Sequence, residues 1–294
     1  MGRRRRGPDK DAAADADAAD GPVAGTYPID TGTAELLPDP YRDGAWQLLV
    51  NGVLSSHWVP GKPAELDFEY MRWIAALLRD RFDDVSSGAG AGAPLRLLHL
   101  GGAGCSLARW ANAVYPASRQ VVVEIDAALA ALVRRWFDLP RAPMLRLRVG
   151  EARAVTESLT PGTRDVVIRD VFAGAVTPGP LTTVEFTRAV DAVLDDSPGH
   201  GGVYVANCGD RPDLALARGE AATIAAVFEH TVAIADPPMF KGRRWGNIIF
   251  AGSHAPLEPS PALRRSLLTD AVPAQVWDDA QVRRFAAGSR PRVD

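Results

Sequence analysis

Residues 98–106 read Leu-His-Leu-Gly-Gly-Ala-Gly-Cys-Ser, an apolar run that leads into a glycine-rich turn. The run has the length of a buried strand, and residues 106–114 that follow have the composition of a helix. Glycine lets a backbone approach a ligand closely, and the first N–H groups of a following helix are free to bind one. The turn therefore predicts either a ligand-binding loop or a strand-to-helix turn that is glycine-rich only for tightness.

Short apolar runs alternate with longer helical stretches around this turn. The apolar runs are residues 95–100, 120–125, 145–149, 165–170, 202–207, 231–235 and 247–251. Such alternation predicts an α/β fold in which a mostly parallel, seven-stranded sheet carries helices on both faces. The loop between the last two runs is rich in Pro, Gly and Arg and is too short for a crossover helix, so we expect these two strands to be antiparallel.

Acidic residues lie at the ends of three of these runs. Glu124 follows the glycine turn by about twenty residues, the position where a carboxylate can accept the hydroxyl protons of a ribose. Glu151 follows Gly150 after the third run, and Asp170 ends the fourth. Open α/β sheets bind ligands at the edge where the carboxyl ends of parallel strands meet. We therefore expect these carboxylates to lie at one binding site.

The sequence before the glycine turn predicts a smaller β unit. Residues 45–59 form two strand-like arms around Asn51-Gly52, a pair suited to the type I′ turn of a β-hairpin. Residues 66–82 carry apolar residues at a period close to 3.6, which predicts an amphipathic helix. Residues 86–92 are mostly Ser, Gly and Ala, a composition typical of a flexible joint.

Four segments follow from these patterns. Residues 1–25 contain four consecutive arginines and a charged stretch without aromatic residues, which predicts a disordered tail. This tail is either a solvated extension or an electrostatic tether to an acidic surface. Residues 26–65 form the N-terminal β unit, residues 66–255 a nucleoside-binding α/β domain, and residues 256–294 a C-terminal extension.

Composition excludes several classes of protein. The 294 residues include 33 basic and 36 acidic side chains, a formal net charge of -3, which lacks the positive field of a dedicated nucleic-acid binder. No apolar run approaches the roughly 18 residues of a membrane span, so we expect no membrane partner. The two cysteines, Cys105 and Cys208, form no disulfide framework, which favours the cytoplasm. The five histidines lie far apart, so we expect no metal site.

These residues resemble one family, the spermidine synthases or polyamine aminopropyltransferases, a branch of the class I S-adenosylmethionine-dependent methyltransferase fold. The resemblance covers about residues 45–253. The glycine turn and the acidic strand ends are shared with the whole superfamily, whereas three features point to this branch: the hairpin, Leu-Thr-Thr-Val-Glu-Phe at residues 181–186, and Trp245-Gly246. The resemblance implies a Rossmann-like sheet of seven strands with a small N-terminal β-hairpin unit.

The resemblance also implies a nucleoside co-substrate, either decarboxylated S-adenosylmethionine or S-adenosylmethionine itself. The glycine loop would lie beside the thioether part of that molecule, and two carboxylates would bind its ribose hydroxyls and adenine amino group. The residues implied are Gly101, Gly102 and Gly104 in the loop, Glu124 for the ribose, and Glu151 with Ala152 for the adenine.

Asp170 matches the catalytic carboxylate of the family. The implied reaction is attack by a small amine or polyamine on the carbon next to a sulfonium, with methylthioadenosine as the leaving group. An alkylamine of the lysine type has a reference pKa of about 10.4 and is protonated at neutral pH, so a carboxylate must first accept its proton. The resemblance further implies a homodimer and no metal.

This sequence departs from the family pattern at both ends of the implied site. Gly104 replaces an aspartate that pairs with the aminopropyl ammonium and repels a methionine carboxylate. Val171-Phe172-Ala173 follow Asp170 where the family has a second, diamine-anchoring carboxylate, and Phe68-Glu69 replace a Tyr-Gln or Tyr-His pair. A buried charge without a partner costs several kcal/mol, so an apolar lining binds a dication poorly.

We expect Glu69, Phe172 and Trp245 to contact the acceptor. Glu69 is either an anchor for an amine or an exposed helix glutamate. Three functions fit the sequence: an aminopropyltransferase-like enzyme, a methyltransferase that uses intact S-adenosylmethionine, and a catalytically silent nucleoside-binding homologue.

Overall fold

The computed structural model describes residues 21–87, 94–174, 176–195 and 201–294. Residues 1–20 of the expected tail and residues 88–93, which include most of the expected joint, lie outside these ranges. The described chain forms a four-stranded antiparallel sheet followed by a larger, mostly parallel sheet.

The N-terminal sheet has four strands in chain order, β1 Gly25–Ile29, β2 Gly32–Pro38, β3 Trp46–Val50 and β4 Val53–Trp58. The predicted hairpin is formed by β3 and β4, and its turn residues Asn51 and Gly52 have the positive φ values, 51° and 76°, that a type I′ turn requires. The unit is larger than the hairpin predicted from the sequence. β1 contains Pro28, which is tolerated at a sheet edge but weakens a sequence-based strand prediction.

The larger sheet alternates with helices along the chain, which confirms the α/β class. In chain order the elements are α1 Glu69–Ser87, β5 Arg96–Leu100, α2 Ser106–Val114, β6 Arg119–Glu124, α3 Ala127–Trp136, β7 Leu145–Val149, α4 Ala152–Glu157, β8 Val166–Arg169, α5 Val184–Val193, β9 Val203–Asp210, α6 Ala215–Ala225, β10 His230–Ala235, α7 Pro237–Phe240, β11 Gly246–Ser253, α8 Pro261–Leu268, β12 Gln275–Trp277 and α9 Asp279–Ala286.

The strand order of this sheet is β12-β10-β11-β9-β8-β5-β6-β7. The five strands from β9 to β7 in this order pair in parallel, and β11 pairs antiparallel with both β9 and β10. The predicted antiparallel arrangement of the last two strands is therefore confirmed. All four residues of β8 are buried, as expected for a parallel strand that helices cover on both faces.

An eighth strand, β12, joins the sheet beyond the seven expected. It comes from residues 256–294 and pairs with β10. Trp277 at its end stacks on Phe240 with 3.6 Å between ring centroids and meets Phe285 of α9 edge-on. The C-terminal segment thus contributes to the same core as the rest of the sheet. A strand of three residues shows no period in the sequence, so no pattern predicted it.

The order of the strands places a crevice between β5 and β8. The chain runs from β5 to β6 and β7 on one side and from β8 to β9 on the other, so the direction of winding reverses between β5 and β8. Ligands of open α/β sheets bind at such a switch point. Among the described residues, no helix is both long and apolar enough to cross a bilayer.

Candidate active site

A cavity of about 1150 Å³ opens at the switch point. The carboxyl ends of β5, β6, β8 and β9 form its floor, and the N-terminal sheet and the first turn of α1 cover it. Nine of the ten site residues predicted from the sequence line this cavity: Glu69, Gly101, Gly102, Glu124, Glu151, Ala152, Asp170, Phe172 and Trp245. Gly104 is the one predicted residue that does not line it.

The glycine turn needs two of its glycines for close packing. Gly101 has φ +92°, and a Cβ there would lie 2.2 Å from the carbonyl oxygen of Asp170. A Cβ on Gly102 would lie 3.0 Å from Val122 and 3.3 Å from Oε2 of Glu124. Ala103 and Cys105 also adopt positive φ, 39° and 57°, which is uncommon for residues with a side chain. The loop is thus folded tightly onto the ends of β6 and β8.

Gly104 faces the N-terminal sheet. Its backbone N–H donates a 2.8 Å hydrogen bond to Oγ of Ser56, and a Cβ at this position would lie only 2.6 Å from Cβ of Ser56. Position 104 therefore presents no side chain to the cavity, and the space of such a side chain is occupied by β4.

Glu124 binds the glycine loop from the end of β6. Its Oε2 accepts hydrogen bonds of 3.1 Å from the backbone N–H groups of both Gly102 and Ala103, and its Oε1 accepts one of 3.1 Å from Asp126. The carboxylate is partly exposed to the cavity. It is positioned by these three bonds, and it retains acceptor capacity because an ionised carboxylate offers about four acceptor positions.

Glu151 is the N-cap of α4. Its two carboxylate oxygens accept hydrogen bonds from the backbone N–H groups of Arg153 and Ala154, at 2.9 and 2.7 Å. Ala152 behind it is buried. These bonds orient an exposed carboxylate at the mouth of the cavity and satisfy the free N–H groups of the helix.

Asp170 lies at the opposite wall, directly after β8. Its Oδ1 accepts a 2.8 Å hydrogen bond from Nδ2 of Asn207, and its Oδ2 accepts a 3.0 Å bond from the hydroxyl of Tyr70. Burial raises the pKa of the Asp170 carboxyl above its ordinary value, while the bonds from Asn207 and Tyr70 act in the opposite direction. The side chain is a fixed carboxylate that binds a proton more readily than an exposed aspartate does.

A buried ion pair lies behind this wall of the cavity. Arg169, which precedes Asp170, is fully buried and lies 3.1 Å from Glu220 of α6. Its guanidinium also donates to the carbonyl oxygens of Leu181 and Asn207, at 2.6 and 3.3 Å. Arg169 therefore fixes the backbone of Asn207, whose side chain contacts Asp170.

The remaining residues at this end are aromatic, apart from the carboxylate of Glu69. We call the part of the cavity lined by Glu69, Tyr70, Asp170, Phe172 and Trp245 the Asp170 end. Trp245 is 44% exposed, and Phe172 is half-buried. This end combines the carboxylates of Asp170 and Glu69 with an apolar wall, whereas the glycine-loop end combines backbone amides with carboxylates.

One comparison decides the family. The chain is 50% identical to the protein in a crystal structure described as a probable spermidine synthase from Corynebacterium glutamicum ATCC 13032. The TM-score is 0.86, and the match covers 93% of this chain and 97% of that chain. This chain belongs to the spermidine synthase family.

A second comparison agrees with this assignment to the spermidine synthase family, and a third concerns the fold alone. A polyamine aminopropyltransferase of Vibrio vulnificus (strain CMCP6) is 31% identical over 116 residues, a match that spans 39% of this chain and only 38% of that protein. Human methyltransferase-like protein 13, solved in complex with SAH, has a TM-score of 0.51 at 22% identity, covering 77% of this chain and 94% of that chain. The latter shows the methyltransferase fold alone. No family model matches the sequence.

Two contacts of this spermidine synthase family member were not predicted from its sequence. Tyr70 and Asn207 both bond to Asp170, although neither was a candidate site residue. The sequence holds a weak signal for Asn207, a polar residue in the otherwise apolar run 203–207. Tyr70 follows the Phe68-Glu69 pair directly, and only the packing of α1 against the sheet brings its hydroxyl to Asp170.

Proposed function

We propose that this protein transfers an aminopropyl group from decarboxylated S-adenosylmethionine to an amine and releases methylthioadenosine. The observation that carries the proposal is the position of Asp170. It is a carboxylate at the topological switch point, oriented by two hydrogen bonds, in a cavity that the glycine loop also lines. The 50% identical structure described as a probable spermidine synthase supports the same class of reaction.

The donor would bind at the glycine-loop end. Gly101 and Gly102 line the cavity, and without side chains they let the loop fold against Asp170 and Glu124, so its backbone would face the thioether part of the nucleoside. Glu124 would accept a hydrogen bond from a ribose hydroxyl with its remaining acceptor capacity. Glu151 would accept from the adenine amino group, with buried Ala152 beside it.

Asp170 would act as the general base. The amine enters as an ammonium ion, and Asp170 accepts its proton, which frees the nitrogen lone pair. That lone pair attacks the methylene carbon next to the sulfonium. The carbon–sulfur bond breaks, and its electron pair goes to sulfur, which leaves as the neutral thioether of methylthioadenosine. Because burial raises the pKa of the Asp170 carboxyl, it is a better proton acceptor than an exposed aspartate.

Tyr70 and Asn207 would orient this base. Each donates to a different oxygen of Asp170, so the plane of the carboxylate is set by two elements, α1 and β9. A fixed carboxylate can meet the ammonium without reorganisation, which is how preorganised groups lower a barrier.

A second candidate is methyl transfer from intact S-adenosylmethionine. The observation in its favour is Gly104, which presents no acidic side chain to the cavity and contacts Ser56 instead. Nothing negative at this position repels the methionine carboxylate of the intact donor.

Product analysis separates these functions. Purified protein is incubated with each sulfonium donor and a panel of amines, and methylthioadenosine and adenosylhomocysteine are measured by mass spectrometry. We expect methylthioadenosine from the decarboxylated donor. Adenosylhomocysteine alone would establish methyl transfer, and neither product with any amine would indicate a silent homologue.

The role of Asp170 is tested in the same assay. Asp170→Asn keeps the shape of the side chain and removes the proton acceptor, so turnover should fall by about 10²–10⁴-fold, the usual contribution of a general base. Asp43→Asn is the matched control, because Asp43 is exposed and lies outside the cavity. Donor affinity should be the same in both variants.

The assembly and location remain part of the proposal. We propose a homodimer that acts in the cytoplasm on a small amine or polyamine, without a metal. Light scattering of the purified protein at micromolar concentration would give the mass of the assembly directly. A monomer mass would remove the homodimer from the proposal and leave the reaction unaffected.

A further inference from the structure

The Asp170 end contains a second carboxylate, but this one is already paired. Glu69 begins α1, and its Oε1 lies 3.9 Å from a guanidinium nitrogen of Arg244. Arg244 is held in place by a 2.9 Å ion pair with Asp236 and a 2.9 Å hydrogen bond to the carbonyl oxygen of Trp245. Glu69 and Asp236 therefore share the guanidinium of Arg244, and an ammonium group of a ligand would have to compete with Arg244 for Glu69.

The aromatic side chain at this end also faces a cation. The guanidinium carbon of Arg211 lies 5.9 Å from the centroid of the Trp245 ring, within the range of a cation–π contact. Arg211 therefore occupies a face of this ring, and an ammonium group of a ligand would have to compete with it for the same contact.

The wall beyond Asp170 is apolar. Val171, Phe172 and Ala173 follow it in the chain and line the cavity, and Pro178 continues this lining. A charged group transferred to such a surface loses its hydration without gaining a partner. Asp170, by contrast, accepts bonds only from the neutral groups of Tyr70 and Asn207 in the described structure, so its charge is available to one ammonium.

We propose that the acceptor of this enzyme is a monoamine, a primary amine whose distal part carries no positive charge. The inference rests on the proposed function and names its substrate class. The ammonium of the acceptor gives one proton to Asp170, and its nitrogen then forms a bond to the aminopropyl carbon. The carbon–sulfur bond breaks toward sulfur, so the products are a secondary ammonium that carries an aminopropyl arm, and methylthioadenosine. The alkyl part of the acceptor packs against Phe172 and its neighbours.

Binding of two amines of equal length tests the proposal without requiring turnover. n-Pentylamine and 1,5-diaminopentane have the same carbon chain and differ in the second ammonium. Each is titrated calorimetrically into the protein saturated with methylthioadenosine, at neutral pH. We expect n-pentylamine to bind at least about tenfold more tightly. Equal affinity, tighter binding of the diamine, or no binding of either amine would overturn the proposal.

A pair of variants at an exposed position identifies the cause. Ala173→Asp adds a carboxylate to the apolar wall, and Ala173→Asn adds a neutral side chain of the same shape. We expect the aspartate variant to bind 1,5-diaminopentane at least about fivefold more tightly than the asparagine variant, with little difference for n-pentylamine. No difference between the variants for the diamine would contradict the proposed role of charge in the wall.

The two proposals fail in different ways. If neither amine yields methylthioadenosine from the decarboxylated donor but n-pentylamine still binds more tightly, the proposal of aminopropyl transfer is wrong. The proposed preference for a ligand with one positive charge then still holds. If the diamine is the better substrate by kcat/KM, aminopropyl transfer is established and the monoamine inference is overturned.

Discussion

The phenol hydroxyl of Tyr70 donates a 3.0 Å hydrogen bond to Oδ2 of Asp170, across 100 residues of sequence. The bond joins the first turn of α1 to the end of β8 at the switch point of the sheet. Tyr70 remains a neutral donor, because burial, with the neighbouring Asp170 charge, raises the pKa of its hydroxyl well above the ordinary value. The arrangement ties the ionisation of Asp170 to the position of α1.

Tyr70→Phe should lower kcat by roughly 10- to 100-fold, because Asp170 then loses one of the two hydrogen bonds that orient its carboxylate. This bond lowers the pKa of the Asp170 carboxyl, so its loss should move the acid limb of the kcat/KM profile to higher pH. The measurement is kcat/KM from about pH 5 to 9. Tyr115→Phe is a matched control, because Tyr115 donates to Asp83 outside the cavity. An unchanged acid limb in Tyr70→Phe would exclude the coupling.

Asp170→Asn should raise the melting temperature at neutral pH. Burial raises the pKa of Asp170 in the folded protein, so the unfolded chain releases this proton first as pH rises. Ionisation of Asp170 therefore destabilises the fold above the pKa of the unfolded carboxyl, fully so above its folded pKa. The difference in melting temperature between Asp170→Asn and the wild type should become smaller as the pH falls toward the ordinary pKa of a carboxyl group. Thermal unfolding at several pH values measures it, and a less stable variant at neutral pH would show that the ionised carboxylate is net stabilising.

Glu124→Gln should weaken the binding of methylthioadenosine by about 1–3 kcal/mol, the range of a charge-assisted hydrogen bond. The variant loses the negative charge that accepts hydrogen bonds from Gly102 and Ala103 and that would face the ribose. Isothermal titration calorimetry gives the affinity directly. Glu258→Gln, at an exposed position outside the cavity, should bind as the wild type does. Equal affinity of Glu124→Gln and Glu258→Gln for methylthioadenosine would exclude the proposed role of Glu124 in binding the ribose.

Gly104→Ala should cost about 1–3 kcal/mol of unfolding free energy, the usual effect of overpacking. The new Cβ would lie 2.6 Å from Cβ of Ser56, which is too close for two carbon atoms, so the side chain of Ser56 is the main obstacle. In a Ser56→Gly background the same substitution should therefore cost less, as a double-mutant cycle in urea denaturation can show. The same cost in both backgrounds would mean that the strain has another source.

Much of the fold and part of the site could be predicted from the sequence because their causes are local. Apolar runs of five or six residues separated by helical stretches specify parallel strands, and Asn51-Gly52 specifies its turn. Gly101, Glu124 and Asp170 were predicted because each stands at the carboxyl end of a run, and those ends share one edge of the sheet. Their roles toward a nucleoside and an amine stay predictions.

The other features were decided by tertiary structure. Gly104 packs against Ser56, Tyr70 and Asn207 bond to Asp170, and Arg244 faces Glu69. These partners lie far apart in the chain, and their distances depend on how α1 and the N-terminal sheet pack over the cavity. Periodicity and turn chemistry depend only on residues that are close together in the chain. The strands, the glycine turn and the acidic strand ends could therefore be predicted from the sequence. The hydrogen bonds and charges that surround Asp170 arise only when separate segments share one space.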